Sequence, residues 1–371
     1  MARAQGRLTP SEVPPVPRAL FLSLLLSTTA APALAETTLR VMSFNIWGGG
    51  GNAGKPIDET LAAIRAAAPD IIGLQETRLE GATCDADYCP PEGPSVATAL
   101  AAALGFHHDE QTAVNEALWA NAVLSRHPIE GASGNGLGVE IDVKGRSVWI
   151  FNIHLDDEPC QPRQLLGIEY GPAPVITTEA EAIDYARQTR GPALDLLMAD
   201  MAAAEEAAAE GAAAEGAAAE GAAAEGAAAE GAAAEGAAAE GAAAEGAAAV
   251  FVTGDFNEPS HLDWTPAAVV AGLHPVAVTW PTTARLAEAG FIDAYRAVHP
   301  DPVAKPAFTW TPTGDEADPD GHHGRIDLVL VRGAGVTVTE AAIVGEDGPR
   351  SDIKMSPWPS DHRAVMAEVR F

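Results

Sequence analysis

Apolar residues along this chain gather in short runs that stop at polar clusters, and between those runs apolar positions recur every three or four residues. Alternation over residues 38–44 predicts a strand, and the apolar runs at 71–74, 120–125, 250–254, 325–331 and 364–370 predict five more. Residues 139–143 and 147–153 flank Lys144-Gly145, which predicts a hairpin. Helical spacing marks residues 57–67, 95–104, 179–190 and 285–289, and it continues through 189–201. Many strands with a few helices outside them imply two packed sheets covered by helical layers.

From residue 202 to 249 this pattern gives way to repetition, with eight copies of Ala-Ala-Ala-Glu-Gly over residues 207–246. Five residues advance a helix by about 500°, so successive Glu side chains spiral around it and leave no apolar stripe. A Gly in every unit costs about 1 kcal/mol relative to Ala. The segment reads as a solvated helical extension or a disordered insert at the end of a helix joining two strands. At the other extreme, Arg3, Arg7 and Arg18 precede a short apolar run, and Ala33-Leu34-Ala35 stands just before Glu36. That is the make-up of a secretory signal peptide, too short to span a bilayer core of about 30 Å. The expected organisation is a signal peptide over 1–35 and one domain over 36–371, interrupted by the insert at 202–249. The expected location is secreted or periplasmic, with no integral membrane anchor after cleavage.

Charge narrows the partners. The formal net charge is −30, and without the leader and the repeat 19 basic residues still face 41 acidic ones. Such a surface repels polyanions, so no stable nucleic-acid partner is expected, although a bound cation reverses the local field at a phosphate site. Cys84 and Cys89 lie close together and Cys160 lies far off. An oxidising compartment favours a small Cys84–Cys89 loop over a zinc site, because no His sits at ligand spacing beside the pair. Cys160 is then free or competes for a partner.

The polar clusters that end the apolar runs carry the chemistry. Asn45 ends Val41-Met42-Ser43-Phe44-Asn45, and Gln75-Glu76 ends Ile71-Ile72-Gly73-Leu74. His154 follows Asn152-Ile153, Asp255 and Asn257 stand in Gly-Asp-Phe-Asn, Asp327 lies in Arg-Ile-Asp-Leu, and Ser360-Asp361-His362 precedes the last run. Carboxylates and amides gathered at one rim offer hard oxygen ligands, which suit magnesium or manganese better than zinc.

In this order and spacing the motifs resemble the endonuclease/exonuclease/phosphatase superfamily, from about Thr38 to Phe371 apart from the repeat. The resemblance implies a four-layered α/β sandwich, two packed mixed sheets flanked by helices, like that of deoxyribonuclease I. It also implies a metal-dependent hydrolase acting on a phosphate ester, with Glu76 as principal metal ligand and Asn45 and Asp361 near a Mg²⁺ or Mn²⁺ ion. Asp255 and Asn257 would orient the attacking water and hold a phosphate oxygen. His362, paired with Asp327, would be the general base, and His154 would donate to the phosphate or leaving group. Water attacks directly, with no covalent enzyme intermediate.

Several residues have competing readings. Asp327 has Arg325 as an alternative structural partner. Arg163, Arg187 and Arg190 read as a phosphate clamp or as helix-surface residues. The pairs His107-His108 and His322-His323 read as solvated loops, and residues 48–51 as a mobile loop at the mouth of the site. The substrate class expected is a phosphodiester or phospholipid headgroup. The rivals are a secreted DNA or RNA nuclease and a non-catalytic surface-binding protein that displays the repeat.

Overall fold

The computed structural model describes residues 36–78, 95–111, 120–168, 172–229, 247–314 and 322–371, and of 211–229 the backbone alone. The expected leader, the Cys84–Cys89 loop and much of the repeat lie outside the described residues. In chain order the strands are β1 (Thr38–Asn45), β2 (Ile71–Gln75), β3 (His107–Gln111), β4 (Asn121–Ser125), β5 (Ile129–Ala132), β6 (Gly138–Asp142) and β7 (Ser147–His154). They continue with β8 (Ala249–Asp255), β9 (Ile292–Asp293), β10 (Asp327–Arg332), β11 (Thr337–Glu346), β12 (Ile353–Met355) and β13 (Ala364–Arg370). A seven-stranded sheet runs β12-β11-β13-β1-β2-β4-β3, and a six-stranded sheet runs β5-β6-β7-β8-β10-β9.

Each sheet is mixed because a helix carries the chain back across it. Helix α1 (Ile57–Ala67) joins β1 to its parallel neighbour β2. Asp58 and Glu59 occupy its first turn and Arg65 its last, as the helix dipole favours. In the other sheet, α3 (Gln161–Leu166) and α4 (Glu179–Ala229) join β7 to parallel β8. Helix α2 (Val96–Leu104) begins at Ser95, whose side chain accepts from the Ala97 amide. Helices α5 (Pro266–Val270), α6 (Pro281–Glu288) and α7 (Ala294–Val298) complete the order.

Three apolar clusters define four layers. Val41, Ile71, Ile150, Phe251 and Val365 meet between the sheets. Leu61, Ile64 and Leu100 cover the outer face of the first sheet. Leu194, Leu197 and Met201 of α4, with Leu286 of α6, cover the second. The fold is therefore a four-layered α/β sandwich.

The inter-sheet layer turns polar toward the strand ends. Gln75 donates to Asn152 Oδ1 (2.6 Å), and Asn152 donates to Gln111 Oε1 (3.0 Å) and to the Leu74 carbonyl (2.8 Å). Thr253 also donates to Asn152 Oδ1 (3.1 Å), so this amide ties both sheets together. Buried groups bonded across the two sheets fix their register, where an apolar contact would tolerate sliding. Gly73 is required here, since a Cβ at this position would collide with Thr253 Oγ1 and Asn152 Oδ1.

The hairpin expected across Lys144-Gly145 is β6–β7, with both turn residues at positive φ. Three expectations are corrected. Residues 48–53 form a 3₁₀ turn with Gly48, Gly49 and Gly50 buried, because Gly49 closes onto Val96; they are no open loop. His107 and His108 begin strand β3, paired to β4, where backbone pairing outweighs their polarity. The helix expected at 179–190 continues as α4 through Pro192 into the repeat, to Ala229.

Candidate active site

Backbone register gathers the polar strand ends at one rim. Parallel pairing sets Asn45 opposite Gln75 and His154 opposite Asp255. Antiparallel pairing sets Asp327 opposite Asp255, and His362 precedes β13, the antiparallel neighbour of β1. The C-terminal ends of β1, β2, β7 and β8 thus face the N-terminal ends of β10 and β13. Three residues there, Trp47, Glu76 and Asn257, hold positive φ angles of 47°, 53° and 46°. Backbone strain of this kind in non-glycine residues persists only where the surroundings enforce it, and it clusters at functional sites.

Asn45 is fully buried and donates from Nδ2 to Glu76 Oε1 (2.8 Å) and to Asp255 Oδ2 (3.1 Å), one carboxylate from each sheet. Its own oxygen accepts from the Trp47 amide (3.1 Å). Asn45 therefore holds two carboxylates in place as a donor, beside Glu76, the expected principal metal ligand. Asp255 Oδ1 accepts from the Asn257 amide (2.9 Å), and the Asn257 side chain donates to the Leu155 carbonyl (2.8 Å). His154 Nε2 stands 3.6 Å from Asp255 Oδ2 and 4.0 Å from Glu76 Oε1.

His362 Nδ1 lies 2.9 Å from Asp327 Oδ2, and Nε2 lies 3.7 Å from Asp255 Oδ2. The alternative partner of Asp327 is disposed of, since Arg325 binds Asp263 and Asp293 instead. A histidine with one nitrogen on a buried carboxylate and the other at a cavity is held in a single orientation. Burial opposes its charge, but Asp327 and Asp255 outweigh burial and raise the imidazole well above its usual value. Burial likewise pushes Asp327 up, to about 6, with His362 pulling against it. The pair holds a proton firmly in the field of neighbouring carboxylates.

These groups open on a cavity of about 460 Å³ lined in part by Glu76, His154, Asp255, Asn257, Asp361 and His362. Asp361 is raised, by burial first, and Glu76 and Asp255 add to the effect; its Oδ1 is buried with no hydrogen-bond partner. Asp255, Asp327 and His362 also cluster within 4.8 Å. That trio is a proton-holding unit rather than a cation cage, because Asp327 is fully buried beneath the imidazole and lines no part of the cavity. Glu76, Asp255 and Asp361 line the cavity with hard carboxylate oxygens, and Asp361 Oδ1 has no donor, a set that fits a divalent cation.

The cavity is also lined by residues that the sequence pattern did not single out, namely Trp47, Arg78 and Trp310. Arg78 lies two residues after Glu76, but a loop arginine has no periodic signal. Arg163 also lines the cavity and stacks over Trp310, 5.1 Å from the ring centroid. His322, expected in a solvated loop, is instead buried in the cavity lining near Trp310, because Trp310 pairs by backbone with Gly324. Of the other two arginines of the expected clamp, Arg187 is exposed on α4 and does not line the cavity, and Arg190 is fully buried.

Paired carboxylates, a carboxylate-held imidazole and a cavity at the strand ends of a four-layered sandwich define a class, the metal-dependent hydrolases of phosphoester bonds. This chain belongs to the endonuclease/exonuclease/phosphatase family, whose sequence model matches residues 42–362. An uncharacterized protein of Caenorhabditis elegans is 33% identical over 131 residues, a stretch that is 33% of this chain and 41% of that protein. Among solved structures, an endonuclease/exonuclease/phosphatase from Beutenbergia cavernae is 19% identical with a TM-score of 0.45, covering 90% of this chain and 72% of that one. An AP endonuclease from Archaeoglobus fulgidus is 15% identical with a TM-score of 0.46, covering 89% and 98%. TDP2 from Caenorhabditis elegans is 18% identical with a TM-score of 0.43, covering 90% and 74%.

Proposed function

We propose that this chain is an exported, Mg²⁺- or Mn²⁺-dependent phosphoesterase that cleaves a phosphodiester or phospholipid headgroup by direct attack of water. The observation that carries this reading is His362, whose Nδ1 rests on buried Asp327 while Nε2 faces the carboxylates across the cavity. In this reading His362 takes the proton of the attacking water, and Asp327 fixes its tautomer and stabilises the resulting imidazolium. Asp255 and Asn257 orient that water and a phosphate oxygen, and His154 donates to the departing oxygen. Glu76 and Asp361 would hold the cation, which would supply neutralisation of phosphate charge and stabilisation of the leaving oxygen. Asp255 and Asp361 add to the field that keeps the proton on His362, and a bound cation would offset their part of it while Asp327 remains. The acidic composition supports a small ester over a long polyanion. The test is a hydrolysis panel of purified mature protein with magnesium. Single- and double-stranded DNA, RNA, sphingomyelin, phosphatidylinositols and simple mono- and diesters are compared. Turnover confined to DNA or RNA would replace this reading with the nuclease, and no turnover on any of them would leave the non-catalytic one.

A further inference from the structure

Arg190 is fully buried in α4 and cannot reach a substrate, yet its guanidinium bonds Asn257, which lines the cavity, and Gln161, the neighbour of cavity-lining Cys160 and Pro162. Nη2 donates to the carbonyl of Asn257 (2.5 Å), and Nη1 donates to Gln161 Oε1 (2.5 Å). Asn257 follows β8 and passes the constraint on, since its amide donates to Asp255 Oδ1. Gln161 opens α3, whose next residues Pro162 and Arg163 also line the cavity. Glu258 completes the arrangement, with Oε2 3.6 Å from Arg190 Nη1 and Oε1 accepting from the Thr282 amide (2.8 Å). Burial raises the Glu258 carboxyl, and Arg190 works against that rise.

We propose that Arg190 is a positioning residue for the reaction, fixing Asp255 through Asn257 and setting the distance between that segment and the start of α3. Three observations support this. Asn257 sits at φ 46°, and the Arg190 bond to its carbonyl is one of three hydrogen bonds that hold it there. The guanidinium is planar, so its two branches fix a separation that a single point charge cannot. Asn257 lies in the segment after β8, without regular pairing of its own, and Gln161 is the first residue of α3, so the two anchors join a loop to a helix start.

This inference rests on the hydrolase reading, and its test separates the two. Arg190→Lys keeps a charge opposite Glu258 but removes the fork. The double variant Arg190→Met with Glu258→Gln removes the fork without leaving a buried charge unpaired, which protects folding. Both are compared with the natural chain at saturating Mn²⁺ on a chromogenic phosphodiester, by melting temperature, and by hydrogen–deuterium exchange over residues 255–259. The expected result is a loss of at least about 10-fold in kcat with KM within about threefold, because misplaced groups weaken the transition state more than ground-state binding. The Asn257 amide is expected to exchange faster while β7 and β10 keep their protection. Variants with natural kcat and natural exchange at 255–259 would overturn the proposal, and so would exchange that rises uniformly across the domain. If the natural chain itself turns over no ester, the hydrolase reading fails, and the exchange arm alone still decides whether Arg190 fixes the Asp255–Asn257 segment.

Discussion

His362 and Glu76 separate two kinds of dependence at the same rim. His362→Ala is expected to lower turnover by about 10²–10⁴-fold, the usual worth of a general base, while metal affinity stays near natural. Glu76→Gln removes an anionic oxygen and is expected to raise the magnesium needed for half-maximal activity. Excess EDTA should abolish turnover, and added Mg²⁺ or Mn²⁺ should restore it; full activity in EDTA would sink the mechanism. A different residue, His322, contributes to stability against pH, as does His274, which burial lowers to about 4. Burial first, then Arg163 and neighbouring histidines, holds His322 at about 3, far below its ordinary 6.5. The unfolded chain therefore binds this proton more readily, so the stability contribution rises with pH between about 3 and 6.5 and is level above that. Melting temperature should fall as pH is lowered from 7 toward 4, and His322→Leu should flatten the slope; an unchanged slope would assign it to other groups. At this scale, Glu76, His154, Asp255, Asp327 and His362 were legible because each abuts a strand run, so its position in the fold is fixed by the strand. Arg78, Trp310 and buried His322 were not, because they come from loops whose path is set by tertiary pairs such as Trp310 with Gly324.

Strands buried on both faces announced themselves as apolar runs, and β2, β4, β8, β10 and β13 were read correctly to within a residue or two. Strands β3, at a sheet edge, and β11, between β12 and β13, were not. β3 reads His107-His108-Asp109-Glu110-Gln111 and is mostly exposed or half-buried, so its only requirement is a partner for β4. β11 carries a register shift between Val338 and Glu340 and an irregular burial pattern, which blurs any period of two. Composition hides such strands because backbone pairing rather than side-chain burial forms them. The central elements carry the opposite demand, tight approach. Gly73→Ala adds a methyl group where Thr253 and Asn152 already meet, and overpacking of this kind costs about 1–3 kcal/mol or more. The expected result is a melting temperature several degrees lower, together with weaker activity, since Glu76 leaves the same strand three residues later. A variant of natural stability would show that the sheets can part at this seam without cost.

The long helix α4 belongs to the domain at one end and departs from it at the other. Leu197, Met201 and Ala204 pack on the second sheet, and Glu205 pairs with Arg332 (2.5 Å) just before the array begins. On the returning side Ala247 packs against the same cluster and Ala249 is already buried in β8. The chain is thus anchored immediately before and after residues 207–246, and the polar demands of the cavity are met by residues outside them. The array's only ionisable side chains are regularly spaced Glu, which supply no nucleophile and no apolar area to the core. Lengthening a connection between fixed ends costs free energy only slowly with length, so eight added units are thermodynamically tolerable and equally dispensable. Deleting residues 207–246 is therefore expected to leave kcat, KM and melting temperature nearly unchanged while the hydrodynamic radius shrinks. Light scattering and the hydrolysis panel on the shortened chain provide the measurement. Loss of turnover on every substrate that the full chain cleaves would make the array part of the fold or of the site, because the anchors at Glu205 and Ala249 would then be insufficient to hold α4, and with it Arg190, in place.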